Sequence, residues 1–130
     1  MTVLSFLKKY FLTIIFSSLF LCLCLISMQD LPEAPMTNFD KLVHFLMFLS
    51  LSGCVFFENT KYLKRKISRR RIVWGSFIFP TVFSGLIEIM QEYLTPFRCG
   101  DWMDFLWDTM GTLLGLVICL IINAKLKERI

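Results

Sequence analysis

The chain has 130 residues, of which 56% are hydrophobic and 15% aromatic, and its formal net charge is +4. A soluble domain of this length buries too little surface to hide so many apolar side chains, so a soluble globular fold is excluded and a lipid bilayer is expected around it. The positive charge does not indicate nucleic-acid binding, because the basic residues lie between apolar stretches without aromatic residues interleaved among them.

Four apolar stretches follow one another along the chain, each close to the roughly 20 residues with which a helix crosses about 30 Å of hydrocarbon. Helices satisfy their own backbone hydrogen bonds, whereas open strands would leave polar edges in lipid. The predicted fold is therefore an all-α membrane protein, a bundle of four transmembrane helices in a single domain over residues 1–130. The predicted helices are 11–28, 42–57, 72–90 and 105–123.

The distribution of Lys and Arg predicts how these helices are oriented, since short loops rich in cations stay in the cytoplasm. Two cations precede the first helix, seven lie in the loop 58–71 and three follow the fourth helix, so that twelve of the fourteen fall on one side. The other side has only Lys41 and Arg98. Both termini and the basic loop are therefore expected in the cytoplasm, where the loop also meets anionic lipid headgroups.

This topology brings the costly polar residues of the chain to its extracytoplasmic face. Residues three or four apart share a face of a helix, so several of these side chains are expected to meet. Their carboxylates outnumber their cations, and carboxylates crowded at low dielectric either stay partly protonated or recruit a cation, which leaves open whether a divalent metal binds. The candidate polar site comprises Asp40, Lys41, His44, Glu88, Gln91, Arg98, Asp101, Asp104 and Asp108.

Two further features concern the packing of the helices. Gly111 and Gly115 lie one helical turn apart, a spacing of small residues that lets a neighbouring helix approach closely. Pro80 lies midway along the third predicted helix and lacks the N–H group that would bond to the carbonyl of Ser76, so a kink is expected there.

Three blocks of residues carry a resemblance to a known family. They are Asp40–Phe45, with the sequence Asp-Lys-Leu-Val-His-Phe, then Glu88–Gln91, then a block from Pro96 and Arg98 through Asp101 and Asp104 to Gly111 and Gly115. In this order and spacing, over residues 40–115, they resemble the VanZ-like family of small bacterial membrane proteins. One departure is Asp108, where the family usually has Asn, and it adds a negative charge to an acidic cluster.

The resemblance implies a multi-pass protein of the bacterial cytoplasmic (inner) membrane with a role in the cell envelope. The family is named for a member linked to reduced susceptibility to the glycopeptide teicoplanin, and the resemblance implies no particular reaction. The leading hypothesis is that the polar site binds a lipid-linked envelope precursor or a glycopeptide, with Arg98 and Lys41 contacting the ligand.

Three other interpretations stay open from the sequence. The polar residues can serve only to clamp the outer ends of three helices by ion pairs and hydrogen bonds. The chain can also be a membrane-embedded enzyme acting on a lipid phosphate, with His44 and Glu88 as acid and base and a divalent metal on the carboxylates. A small transporter is the least favoured, because no charged residue occupies the middle of a predicted span.

Overall fold

A computed structural model describes residues 1–25, 39–63, 67–94 and 102–126, and every regular element in these ranges is a helix. The all-α prediction is confirmed. The elements in chain order are α1 (Val3–Lys9), α2 (Phe11–Leu25), α3 (Phe39–Leu63), α4 (Arg69–Val73), a π-helical turn (Trp74–Ile78), α5 (Phe79–Leu94) and α6 (Trp102–Lys125).

Three helical segments in the described ranges are long and apolar enough to cross a membrane, namely Lys41–Lys61, Arg69–Leu94 and Trp102–Lys125. The second of these is α4, the π-helical turn and α5 in succession. Helices α1 and α2 make a fourth span if they are taken together, although they are bent by 77° relative to each other. The protein is thus a multi-pass membrane bundle, while the cytoplasmic placement of its termini stays a prediction.

The apolar stretches underestimate how far the helices extend. The helix predicted at 42–57 is Phe39–Leu63, because the polar residues that were expected to begin a cytoplasmic loop continue the helix and are buried. The helix predicted at 72–90 lies within Arg69–Leu94, and the one predicted at 105–123 lies within Trp102–Lys125. Helix α2 is described to Leu25, and the rest of the prediction 11–28 lies outside the described residues. Helix α1 was not predicted.

Glu58 explains how the bend between α1 and α2 is held. Its carboxylate lies in α3 and is 4% exposed, and Oε1 accepts a hydrogen bond from the Leu12 amide at 2.6 Å. Oε2 accepts from the Thr13 amide at 3.2 Å and from the Thr13 hydroxyl at 2.6 Å. The first amides of a helix have no partner within it, and an anion is favourable at that end. Glu58 therefore caps α2 from another helix.

Helix α3 lies at the centre of the bundle and packs closely on α6. At Gly111, an added Cβ would overlap the carbonyl oxygen of Phe45, and at Gly115 it would lie 2.5 Å from Oγ of Ser52. The two backbones approach this closely only because both positions of α6 lack a side chain. A cluster of buried apolar side chains joins α3 to α2 and α5, and it consists of Phe48 and Leu51 of α3, Phe20 and Cys24 of α2, and Ile87 of α5.

The π-helical turn ends two residues before Pro80 and lies within the segment Arg69–Leu94, which continues through it as one span. Since Pro80 has no N–H, it cannot bond to the carbonyl of Ser76. The hydroxyl of Ser52 in α3 donates to that carbonyl instead, at 2.6 Å. A backbone group that would otherwise be unsatisfied inside the membrane is thereby paired.

Candidate functional site

Helices α3, α5 and α6 bring polar side chains together near the start of α3 and the end of α5. Each of these side chains lies in the interior of the bundle, on the face of its helix opposite to the exposed apolar residues, and each residue as a whole is at most 7% exposed. We call this group the polar cluster, and it consists of His44 of α3, Ser84, Glu88 and Gln91 of α5, and Asp104 and Asp108 of α6.

The imidazole of His44 lies between two carboxylates of α6. Its Nδ1 is 3.0 Å from Oδ1 of Asp108, and its Nε2 is 3.8 Å from Oδ2 of Asp104. Whether Nδ1 donates or accepts in the shorter contact depends on the tautomer of the ring, and an ionised Asp108 requires the proton on Nδ1. Asp104 and Asp108 are one helical turn apart, so their two carboxylates lie on the same face of α6. The ring is held in one orientation by this pair.

Asp108 connects three helices. Its Oδ1 bonds to His44 of α3, and its Oδ2 accepts a hydrogen bond from the Ser84 hydroxyl of α5 at 2.6 Å. Asp108 is 1% exposed. Gly111, one turn further along α6, lets the backbone of α3 come close enough for His44 to reach this carboxylate.

Ser84 was not among the residues predicted from the sequence. It lies four residues before Glu88, which places both on the same face of α5. That spacing is the signal by which the sequence could have indicated it. A lone serine in an apolar helix is otherwise hard to distinguish from one that bonds to its own backbone.

The two other α5 members of the polar cluster are buried at least as deeply as Asp104. Glu88 is 3% exposed, and Gln91 is 2% exposed. The amide of Gln91 donates to the carbonyl of Cys24 at 2.7 Å, near the end of α2. Gln91 therefore connects α5 to α2, whereas Ser84 connects α5 to α6.

The remaining predicted residues lie around the polar cluster or outside the described part of the chain. Lys41 is half-buried and lies three residues before His44 on α3. Asp40 is the second residue of the same helix, but its side chain lies outside the description, as do residues Arg98 and Asp101. Gly111 and Gly115 lie at the contact of α6 with α3.

The polar cluster has three carboxylates and one imidazole in the interior of a membrane bundle. A histidine oriented by a carboxylate is a usual general-base arrangement, and the same contacts also hold α3 against α6. Within the described ranges, no group of three or more His, Cys, Asp and Glu side chains is arranged to hold a metal ion. The divalent cation considered from the sequence stays a proposal.

Comparison with known proteins places the chain in a family. The match to the family model described as VanZ/LLP1 covers residues 2–123, which include the whole polar cluster and both glycines of the contact between α3 and α6. Searches of curated proteins and of solved structures give no match. Since the family match covers nearly the whole chain, this multi-pass membrane protein belongs to the VanZ/LLP1 family.

Proposed function

We propose that this protein acts in the bacterial cytoplasmic membrane as an envelope protein that binds the polar head of a lipid-linked precursor or a teicoplanin-type glycopeptide. The burial of ionisable groups in the polar cluster supports this proposal. A carboxylate at the centre of a bilayer costs about 2.5 to 3.5 kcal/mol and less towards its surface. Neutral side chains can hold helices together by hydrogen bonds without this cost. The burial of three acids in the polar cluster therefore favours a binding role over a purely structural one.

In this proposal the carboxylates are positioning residues and the cations contact the ligand. Lys41 precedes His44 by one turn of α3, and Arg98 is the second cation. The site faces outward if both termini are cytoplasmic. A reporter enzyme that is active only in the cytoplasm, fused to the C-terminus, tests that orientation.

The binding role is tested with the full chain in lipid nanodiscs. We expect Lys41→Gln to weaken the binding of a polyprenyl-pyrophosphate-linked envelope precursor or of teicoplanin by about tenfold, the effect of one lost charge-assisted hydrogen bond. Glu88→Gln should weaken it similarly. The matched control is Lys61→Gln near the cytoplasmic end of the same helix, which should bind like the parent. Binding should survive a chelator. Parental affinity in both Lys41→Gln and Glu88→Gln, with folding intact, contradicts the proposal.

One observation favours a second function, a membrane-embedded enzyme acting on a lipid phosphate. The contact of His44 with Asp108 fixes the ring as in many general bases. In this alternative the carboxylates of Glu88, Asp104 and Asp108 would hold a divalent metal, which would supply Lewis-acid activation of the phosphate. Metal analysis of the purified protein, with phosphate release measured before and after chelation, tests it. A metal-free protein whose activity does not change with chelator contradicts it.

A further inference from the structure

A cavity lies at the other end of the bundle from the polar cluster. It has a volume of about 790 Å³ and lies between the α1–α2 bend, α3 and the segment Arg69–Leu94. Its lining residue Asn59 is fifteen positions along α3 from His44, which corresponds to about 22 Å of helix. The volume falls within the roughly 300 to 1,000 Å³ of small-molecule sites. The cavity is therefore a separate candidate binding site.

The mouth of this cavity is cationic. Arg70 and Arg71 of α4 line it and are exposed, and neither forms an ion pair with any described residue. Tyr10 and Asn59 also line the mouth, where the Tyr10 hydroxyl donates to Oδ1 of Asn59 at 2.8 Å. Guanidinium groups bind phosphate oxygens in bidentate fashion, and basic residues at the cytoplasmic surface attract anionic headgroups.

Beyond the mouth the lining of the cavity is mainly apolar, although it also includes Thr13, Ser17 and Ser18. Trp74, Phe79 and Phe83 line one wall and Ile14 of α2 lines the facing wall. Arg70 and Phe83 are thirteen positions apart along a continuous helical segment, which corresponds to about 20 Å. This length exceeds half of the roughly 30 Å hydrocarbon core, so the interior reaches the depth of one leaflet's acyl chain.

The combination of a cationic mouth and an apolar interior one leaflet deep matches the two parts of a lipid molecule. We propose that this cavity binds one anionic glycerophospholipid, with its phosphate between Arg70 and Arg71 and an acyl chain along Phe79 and Phe83. A free phosphate matches only the mouth and leaves the aromatic wall without an occupant. The site is independent of the polar cluster and of the function proposed for it.

The preference for an anionic lipid is tested by native mass spectrometry of the full chain with phosphatidylglycerol and phosphatidylcholine of identical acyl chains. The parent should bind one phosphatidylglycerol in preference. The double variant Arg70→Gln, Arg71→Gln should bind it about tenfold more weakly or worse. The control Arg69→Gln removes a neighbouring exposed arginine of α4 that does not line the cavity, and it should bind like the parent.

A second pair of variants tests the acyl-chain part. Ser18→Phe adds bulk to the wall formed by α2 and should weaken binding of both lipids, whereas Leu19→Phe, at an exposed neighbour outside the cavity, should not. A photoactivatable lipid should crosslink near Phe79 in the unaltered protein, which requires no variant to fold. Equal binding of both lipids by the parent overturns the proposal. An equal loss in Arg69→Gln, displacement of the lipid by inorganic phosphate, or crosslinks outside the cavity also overturn it.

Discussion

Replacing Glu58 by Gln tests whether a carboxylate of α3 holds the start of α2. The three hydrogen bonds that Glu58 accepts come from Leu12 and Thr13, residues 46 and 45 positions away in the chain. Glutamine preserves the size of the side chain, but its NH₂ group cannot accept from the donors that face it. Glu58→Gln therefore removes a charged acceptor from a buried helix end without creating a cavity.

Two contributions determine how much the free energy of unfolding should fall in Glu58→Gln. A hydrogen bond to a charged group contributes about 1.5 to 3 kcal/mol, and an anion at a helix N-terminus contributes about 0.3 to 2 kcal/mol. Because Glu58 is 4% exposed, water does not replace the lost acceptor. We expect the free energy of unfolding to fall by about 2 to 4 kcal/mol.

The measurement is unfolding of the full chain in mixed detergent micelles, followed by far-ultraviolet circular dichroism as sodium dodecyl sulfate is added. Hydrogen exchange at the Leu12 and Thr13 amides should accelerate in the same variant. The control is Thr60→Ala in the same helix. Its hydroxyl donates to the α3 carbonyls of Phe56 and Phe57, and its loss should cost less than about 0.5 kcal/mol. Parental stability and parental amide exchange in Glu58→Gln would refute the cap.

Substitutions at three further contacts between helices are tested by the same unfolding measurement. Gly111→Ala places a methyl group against the backbone of α3 and should cost about 1 to 3 kcal/mol, so a neutral result would contradict the close approach. Ser52→Ala should lower the free energy of unfolding by about 1 kcal/mol in the parent, because the Ser76 carbonyl loses its donor. In a Pro80→Ala background the same change should cost little, because the N–H of Ala at position 80 can bond to that carbonyl. Equal losses in both backgrounds would exclude this compensation. Asp108→Asn should unfold with a free energy within about 1 kcal/mol of the parent, because the Ser84 hydroxyl can accept from an amide as well as donate to a carboxylate. Asp108→Leu removes both possibilities and should lower the free energy of unfolding by more. Equal losses in the two variants would argue against these hydrogen bonds.

Much of the architecture could be predicted because its physical cause is local in the sequence. An apolar stretch long enough to cross a bilayer must form a helix, since no water is present to satisfy its backbone. The spacing of Asp104 and Asp108 likewise places both acids on one face of α6 without knowledge of the fold. The ends of the helices were harder to predict from the sequence, because polar residues such as Glu58 and Asn59 are typical of a loop but are buried within α3.

The sequence by itself thus determined a helical membrane protein with the acids of its candidate site near one end of the bundle, because hydrophobic length and helical periodicity act within each segment. Only the tertiary structure decided which polar groups meet. The hydroxyl of Ser84 meets Asp108 across 24 positions, and the amide of Gln91 meets the Cys24 carbonyl across 67. These pairings depend on how closely whole helices pack. That distance is set by the size of the side chains at the contacts, and Gly111, which has none, allows the closest approach of α6 to α3.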